Sequence, residues 1–353
     1  MFEVKKDSVI LSTASNKQYD LPFLWLRDNC QCDECRIQET QEKQFLLHTV
    51  PVDISPKGVE IKDEKLFVLW PDNHQSFIPL NQIEESSKPR YPEHKSWKSK
   101  FTPRKFDWSK FLTDDEIALK ALITFVSFGA IILKNAPKKP NSLEVLSKRI
   151  GPIHETLFER IHNVSIEGYG YSVAHTSKEI PPHNDFASYK SQPSIQILHM
   201  LENECEGGDS IIVDGWEVVE DLRKDNPEYF NILKEFNVPF RQFDENNETY
   251  TVAPMINCSS DGSLESFRFS NHLMQMINPS REGVKKFYKA FHEASSRVLD
   301  SKYRSTFRLN AGEALIVASL RVLHGRESFV PSGKRYLQDA YFVYDNALNN
   351  CVI

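Results

Sequence analysis

The stretch EIPPHNDFASYK, residues 179–190, holds a His-x-Asp tripeptide directly after two prolines. In an extended segment, residues two apart point to the same side, so the imidazole of His183 and the carboxylate of Asp185 can converge on one metal ion. His-x-Asp also occurs often by chance, and the alternative is two polar residues that share a loop. The tripeptide therefore indicates a metal site only if further ligands lie elsewhere in the chain.

Length and composition limit the possible classes of protein. The chain has 353 residues, 40% hydrophobic and 11% aromatic, which is enough for one large domain and a smaller one. A formal net charge of −6 gives no electrostatic reason to expect nucleic acid or an anionic membrane as a partner. No apolar run approaches the roughly 20 residues that span a bilayer, and the N-terminal stretch has the features of neither a signal peptide nor a transit peptide. We therefore expect a cytoplasmic protein.

The pattern along the chain predicts two domains joined by a linker. Residues 1–85 are β-rich, and GVEIKDEKLFVLW (58–70) alternates apolar and polar residues around a DEK turn, as a hairpin does. Residues 86–105 are rich in proline, lysine and arginine and are predicted as the linker. Residues 106–353 combine short strands with a few helices. We predict a mainly β, α+β fold, with a β-sandwich or jelly roll that carries helices on one face.

Helix signals in the larger domain are specific enough to place caps. The run after Phe111 predicts a helix that Thr113 caps and Gly129 ends. The segment 141–151 predicts a second capped helix, ended by Gly151, and two further helices are predicted in NPEYFNILKEF and REGVKKFYKAFHEASSRVL. The predicted strands are SIQILHML, GDSIIVDG, ESFRFSN, EALIVAS and RYLQDAYFVYD.

The segment LRDNCQCDEC (26–35) places three thiols in a Cys-x-Cys-x-x-Cys loop. In a reducing compartment such a cluster indicates a metal rather than disulfides. Structural zinc takes four tetrahedral nitrogen or sulfur ligands, so one more must join Cys30, Cys32 and Cys35. His48 and His74 are the imidazoles available in this domain. The alternative is a group of buried or loose thiols.

Beyond His183 and Asp185, a non-haem Fe(II) oxygenase site needs a second histidine. Among the downstream candidates, His292 lies in a predicted helix and His199 in an apolar strand, where a core position is expected; His272 and His324 also lie downstream. His324 in LRVLHGRESF is favoured, because it follows the strand EALIVAS. Arg335, eleven residues later, could clamp a dicarboxylate whose other end chelates the iron.

The order HND, GGDS, LHGRESF and KRYLQDAY resembles the 2-oxoglutarate-dependent oxygenases of the γ-butyrobetaine and trimethyllysine dioxygenase family. Those enzymes belong to the larger group that includes taurine dioxygenase. LPFLWLRDNCQCDEC and WPDNHQSF are similar to the small zinc-binding module of the same family. The resemblance extends from about Leu21 to Asp345. It implies a double-stranded β-helix for the catalytic domain, a zinc-binding N-terminal domain, and often a homodimer.

The resemblance also implies roles for individual residues. His183, Asp185 and His324 would hold Fe(II), and Cys30, Cys32, Cys35 and His74 would hold Zn(II). Arg335 would pair with the far carboxylate of 2-oxoglutarate, and Ser210 would hydrogen-bond it. The family reaction consumes 2-oxoglutarate and O2, with ascorbate as reductant, and releases succinate and CO2.

The chain departs from the family in the substrate pocket. Quaternary ammonium substrates sit there in an aromatic cage, but positions that are Tyr, Trp and Tyr in γ-butyrobetaine enzymes align with Phe158, His162 and His175. The remaining expected substrate-binding residues are Phe186, Asn271 with its neighbour Arg268, Asp339 and Tyr341. Asp339 could pair with an amine or be a solvated carboxylate on a sheet edge. A second departure is VASLRVLHG, which lacks the Asp-Asn pair that relatives have before the iron-binding histidine.

Three functions follow as expectations. The first is hydroxylation of a small amine, betaine or amino acid derivative, similar to γ-butyrobetaine. The second is the same chemistry on an aminophosphonate or a protein side chain, which the histidine-substituted pocket suggests. The third is a zinc-stabilised binding protein without turnover.

Overall fold

The computed structural model describes residues 1–13, 16–165 and 175–351. The chain divides into two compact units, Met1–Arg90 and Tyr91–Ile353. The segment predicted as a linker is split between them, and within it Trp97 is buried, with its indole nitrogen donating to the Phe128 carbonyl. None of the described helices combines the length and the apolar composition that a bilayer span needs.

The first unit contains two three-stranded antiparallel sheets. Its elements are β1 (Phe2–Val4), β2 (Ser8–Ser12), β3 (Gln18–Pro22), α1 (Phe23–Asp28), a 3-10 turn (Leu47–Thr49), β4 (Gly58–Lys62), β5 (Lys65–Leu69), β6 (Gln75–Pro79) and α2 (Leu80–Glu85). The predicted hairpin is confirmed as β4–β5, and its two-residue turn has positive φ at Asp63 and Glu64. Leu26, Leu66 and Trp70 lie at the centre of a common core.

The second unit contains most of the strands and the longer helices. Its strands are β7 (Arg104–Asp107), β8 (Ala130–Lys134), β9 (His162–Ser165), β10 (Ile180–His183), β11 (Ile195–Asn203), β12 (Glu206–Gly207), β13 (Ser210–Asp214), β14 (Val238–Phe243), β15 (Glu248–Ala253), β16 (Ile256–Cys258), β17 (Leu264–Phe267), β18 (Arg304–Phe307), β19 (Glu313–Ala318), β20 (Val322–Arg326), β21 (Phe329–Val330) and β22 (Arg335–Phe342). Its helices are α3 (Trp108–Thr113), α4 (Asp115–Phe128), α5 (Ser147–Ile150), α6 (Gly215–Asp225), α7 (Pro227–Glu235), α8 (Val284–Leu299) and α9 (Tyr344–Asn349), with a 3-10 turn at Ser142–Leu146.

Two sheets form the framework of this unit. One has the order β7-β8-β19-β11-β22-β9 and the other the order β10-β20-β13-β18; apart from the parallel pair β7–β8, their strands pair antiparallel. Met200 and Leu315 of the first sheet share a buried cluster with Ile212 and Val322 of the second. The apolar inner faces of the two sheets therefore contribute to one core.

Helices cover the outer surfaces of these sheets. Leu122 and Phe125 of α4 pack with Ile131 of β8 and Ile316 of β19. A second buried cluster joins α6, α7 and α8 through residues such as Leu222, Phe230 and Phe287. The mainly β content with flanking helices agrees with the sequence prediction.

Two predicted helix caps differ from the structure. Thr113 ends α3, and the N-cap of α4 is Asp114, because the Asp114 carboxylate accepts hydrogen bonds from the backbone amides of Glu116 and Ile117. The segment 141–151, predicted as one capped helix, begins with Asn141, whose side chain makes no capping bond. Asn141 has φ 63° and is followed by the 3-10 turn and the short α5. The end of α4 at Gly129, with φ 75°, is confirmed.

Candidate active site

One cavity of about 960 Å³ opens in the second unit. Its walls come from β9, β10, β11, β13, β20 and β22, together with the end of the β14–β15 hairpin. The cavity brings together residues that are far apart in sequence, among them His162, His183, Ser210, His324 and Arg335.

The pairing of β10 with β20 places two histidines opposite each other. These strands are antiparallel, and His183 lies directly opposite His324, with ring centroids 4.4 Å apart. Gly325 permits this close approach, because a Cβ at that position would lie 2.6 Å from the carbonyl oxygen of Ile180. His324 therefore lies within strand β20, whereas the sequence pattern predicts only that it follows a strand.

Asp185 completes a three-residue cluster. Its Oδ1 lies 3.1 Å from His183 Nε2, its Oδ2 lies 3.7 Å from His324 Nε2, and one ligand atom of each residue lies within 4.8 Å of the others. Adjacent ligands of an octahedral first-row metal are about 3 Å apart. The cluster thus fits a metal ion that is held on one face and keeps its other positions open.

The surroundings of the two imidazoles suit metal binding. His183 Nδ1 donates to the carbonyl oxygen of Pro181 at 2.9 Å, which orients the ring so that Nε2 faces Asp185, 3.1 Å from its Oδ1. Burial lowers the pKa of His324 to about 3, with a further contribution from the charge of His183. His324 is therefore neutral at neutral pH.

A buried hydrogen-bond network connects Asp185 to a second carboxylate. Gln196 Nε2 donates to Asp185 Oδ2 at 2.7 Å and to Asp339 Oδ2 at 2.9 Å, and the Tyr341 hydroxyl lies 2.7 and 2.8 Å from the same two oxygens. Strand register explains the arrangement: Gln196 of β11 lies opposite Tyr341 of β22, and Asp339 is two residues before Tyr341 on the same face. Burial raises the pKa of Asp339, and the nearby charge of Asp185 acts in the same direction.

Arg335 is a buried cation in the cavity wall. Its side chain lies against the Phe329 ring, and its Nε is buried without a partner among the residues that the structure describes. Burial lowers its pKa to about 10, which leaves it charged at neutral pH. Ser210 lines the same cavity from β13. Arg335 is thus available to a carboxylate that enters the cavity.

Aromatic and imidazole rings form another wall. Phe186 contacts Tyr341, His162 and Phe158, with centroid distances of 4.9, 5.8 and 6.0 Å, and His175 also lines the cavity. Phe186 has φ 50°, a conformation that costs free energy for a non-glycine residue and that tight packing must hold in place. This strained residue directly follows Asp185.

Two predicted substrate-binding residues are not brought to the cavity. Asn271 is exposed and is not among the residues that line it. Arg268 is buried, and its guanidinium donates to the backbone carbonyls of Ala187, Tyr189 and Lys190. The role that the structure gives Arg268 is to hold the segment after Phe186.

Gln196, His272 and Arg326 line the cavity without having been predicted as site residues. Gln196 lies in the apolar strand SIQILHML, where a single amide among apolar residues was a usable signal. His272 lies with its ring centroid 4.5 Å from that of His183, and Arg326 lines the cavity while donating to the carbonyls of Thr176 and Lys178. No local pattern distinguishes the latter two from surface residues.

The first unit holds a second cluster. His74 Nε2 lies 3.4, 3.8 and 3.6 Å from the sulfur atoms of Cys30, Cys32 and Cys35. Sulfur and nitrogen ligands of tetrahedral zinc are about 3.5 Å apart, given zinc–ligand bonds of about 2.3 and 2.0 Å. Glu34 lies 3.4 Å from His74 Nδ1 and so can orient the ring. The four side chains fit a closed tetrahedral metal site, and His48 is not part of it.

Comparisons with known proteins agree with this geometry. The family described as "Taurine catabolism dioxygenase TauD, TfdA family" matches residues 92–341, and "Gamma-butyrobetaine hydroxylase-like, N-terminal" matches residues 2–78. The γ-butyrobetaine dioxygenase of Pseudomonas sp. (strain AK-1) is 32% identical, over 94% of this chain and 90% of its own length. The trimethyllysine dioxygenase of Gallus gallus is 27% identical, over 93% and 81%.

A solved structure shows the same fold. The non-heme iron oxygenase OrfP, in complex with Fe, succinate and (3S)-hydroxy-L-Arg, matches with a TM-score of 0.51 at 14% identity, covering 67% of this chain and 85% of its own. At that identity the likeness concerns the fold alone.

The class of protein is a dioxygenase that depends on Fe(II) and 2-oxoglutarate. Within that class, this chain belongs to the TauD/TfdA dioxygenase family, and the resemblance noted in its sequence is confirmed.

Replacing Gln196 with leucine should destabilise the fold. The substitution removes both N–H groups that Gln196 gives to Asp185 and Asp339, and leaves these two carboxylates to share the single Tyr341 proton. We expect the free energy of unfolding to fall by about 1–3 kcal/mol in urea titrations. Gln242→Leu, a half-buried glutamine of the same cavity, is the control. Equal losses in the two variants would contradict a structural role for the network.

Proposed function

We propose that this protein hydroxylates a C–H bond of a small amine or betaine-type substrate, with release of succinate and CO2. The observation that carries the proposal is the placement of His183 opposite His324, with Asp185 beside them, in the wall of a cavity large enough for two small molecules.

His183, Asp185 and His324 are the proposed Fe(II) ligands. They offer two imidazoles and one carboxylate on one face, the ligand set of non-haem Fe(II) oxygenases with open positions. Bound there, the iron supplies the O2-activating chemistry that couples decarboxylation of 2-oxoglutarate to hydroxylation of the substrate. Gln196 and Tyr341 fix the orientation of Asp185 by their hydrogen bonds to its Oδ2.

Arg335 and Ser210 are the proposed partners of 2-oxoglutarate. A charged, buried guanidinium with a free nitrogen suits the far carboxylate of the cosubstrate, and a serine hydroxyl in the same cavity can donate a further hydrogen bond. Binding of a dicarboxylate would give the buried Arg335 its counter-charge.

Phe158, His162, His175, Phe186, Asp339 and Tyr341 are the proposed substrate pocket. They line the same cavity as His183, Asp185 and His324, and Tyr341 donates a hydrogen bond to Asp185. The relatives named above act on γ-butyrobetaine and trimethyllysine, according to their names, which suggests a cationic amine or betaine here. An aminophosphonate or a protein side chain is the alternative substrate.

The proposal extends to architecture and assembly. The two mainly antiparallel sheets of the second unit would form a double-stranded β-helix, or jelly roll, and the first unit would be a zinc-binding domain. The family resemblance also suggests ascorbate as reductant and a homodimer, and the N-terminal stretch suggests a cytoplasmic location. Light scattering of the purified protein tests the homodimer.

Turnover is tested by measuring succinate. Wild-type protein with Fe(II), ascorbate and 2-oxoglutarate should form succinate faster when a substrate from a panel of amines, betaines and aminophosphonates is added. Asp185→Ala should abolish this stimulated formation, because it removes the anionic metal ligand, whereas His292→Ala changes an exposed histidine of α8 and should not. Silence across the panel, with iron and 2-oxoglutarate still bound, would favour a protein side chain; failure to bind iron would contradict the proposal.

Arg335→Ala should act mainly on the cosubstrate. Loss of a buried charged partner typically costs at least 2 kcal/mol, so we expect the KM for 2-oxoglutarate to rise by roughly 30-fold or more, with a smaller change in kcat at saturation. Arg297→Ala, which removes an arginine paired with Glu293 and Asp225 away from the cavity, is the control. An unchanged KM in Arg335→Ala would remove this residue from the cosubstrate site.

Metal analysis tests the first unit. His74→Ala should lower the zinc affinity by more than the roughly 10–100-fold that is typical of outer-shell partners, because it removes a direct ligand. His48→Ala changes the other, exposed imidazole of this unit and should retain one zinc per chain. Equal zinc contents in the two variants would contradict the Cys3His assignment.

A further inference from the structure

Asp339 is a buried carboxylate with one unused oxygen. The residue is 5% exposed and lines the cavity from β22. Its Oδ2 accepts hydrogen bonds from Gln196 and Tyr341, both of which are neutral donors. Its Oδ1 is buried without a partner among the residues that the structure describes. Buried carboxylate oxygens are nearly always paired, so this atom requires a donor.

The cationic side chains of the cavity are not available to Asp339. Arg241 forms a bidentate ion pair with Glu248, with distances of 2.8 and 3.1 Å, and Arg326 donates to two backbone carbonyls. Arg335 begins the same strand four residues earlier, which is about 13 Å along β22 and beyond the reach of its side chain. The missing donor must therefore enter the cavity from outside.

His162 faces Asp339, and its charge acts to lower the pKa of that carboxyl, but no hydrogen bond joins His162 to Asp339 Oδ1. The two residues are paired in the register of β9 and β22, and the Nε2 of His162 lies 3.1 Å from the Thr156 hydroxyl. The γ-butyrobetaine enzymes have a tryptophan at the position of His162, and its indole would offer a large π face to a methylated cation. Here the wall offers an imidazole and a carboxylate instead. The wall is thus built for hydrogen bonding as well as for ring contact.

We propose that the substrate of this dioxygenase carries an ammonium group with at least one N–H, and that this N–H donates to Asp339 Oδ1. The inference rests on the proposed function and narrows it to primary, secondary or tertiary amines. A quaternary ammonium has no hydrogen to donate, so it would leave Oδ1 buried and unpaired. Asp339 is then the residue that selects the methylation state of the substrate.

The same contact orients the substrate relative to the metal ligands. Asp339 and Asp185 share the donors Gln196 and Tyr341. An ammonium bound to Asp339 Oδ1 would therefore be linked to the metal ligand Asp185 through these two side chains. Binding at Oδ1 leaves those shared bonds intact. The amine end of the substrate is therefore fixed beside the metal centre without disturbing it.

The test compares two series of probes that differ only in N-methylation: 4-aminobutyrate and lysine, each with zero, one, two or three methyl groups on the terminal nitrogen. The measurement is kcat/KM for substrate-stimulated succinate formation by the full-length, iron-loaded protein. Members with an N–H should be turned over, and kcat/KM should fall by about 100-fold or more at the trimethyl member, because sites that hydrogen-bond a substrate N–H discriminate strongly against analogues without it.

Comparison of two variants tests whether the Asp339 carboxylate causes this preference between methylation states. Asp339→Asn should lower kcat/KM for the N–H-bearing members about 100-fold and remove most of the preference over the trimethyl member. Asp244→Asn removes an equal charge from the cavity mouth, where both carboxylate oxygens already accept hydrogen bonds from Asn246 and Asn247. It should leave the ratio between methylation states unchanged. An equal change of that ratio in both variants would show a general effect of charge and overturn the proposal.

The wild-type series is decisive even if Asp339→Asn fails to fold. Equal or faster turnover of a trimethyl member overturns the proposal, as does the absence of stimulation by every N–H-bearing member of both series. Calorimetric titration of the iron-loaded wild-type protein with 2-oxoglutarate distinguishes failure of the amine proposal from failure of the proposed function. If 2-oxoglutarate binds, the proposed function stands even when the amine proposal fails. If it does not bind, both are contradicted.

Discussion

The antiparallel pairing of β10 with β20 is the constraint on which the rest of the site depends. It places His183 directly opposite His324, and Gly325 lets the two strands approach closely enough for their rings to meet. Asp185 follows two residues after His183 and reaches the same point. A shift of this register by one residue would turn one histidine to the opposite face of the sheet and separate the three metal-binding side chains.

The six-stranded sheet carries several of the groups that surround this cluster. Along β22, Arg335, Asp339 and Tyr341 share one face and serve different parts of the cavity. The two ends of the strand therefore suit different charges: the guanidinium suits a carboxylate, and the unpaired Asp339 oxygen suits a cation. Gln196 donates hydrogen bonds to both Asp185 and Asp339, so the proposed metal ligand and the proposed substrate-binding carboxylate share a hydrogen-bond donor.

Local patterns in the sequence predicted much of this structure, and the failures have physical reasons. The β4–β5 hairpin, the end of α4 at Gly129 and the helices α7 and α8 follow from alternation, capping and periodicity, which are local. The Cys3His cluster and the His183–Asp185–His324 cluster came from motif order, and the structure brings the members of each together. Thr113 was wrong as a cap because the adjacent Asp114 competes for the same amides. The place of Gln196 in the cavity depends on the register of β11 against β22, which no local pattern encodes.

The central claim is that His183, Asp185 and His324 together hold the iron. The direct measurement is the metal content of the protein after anaerobic reconstitution with Fe(II), for the wild type and for alanine variants at each of the three positions, with zinc counted in the same samples. We predict one iron per wild-type chain, loss of iron in all three variants and unchanged zinc in every sample. Iron retained at wild-type levels in any two of the variants would contradict the assignment.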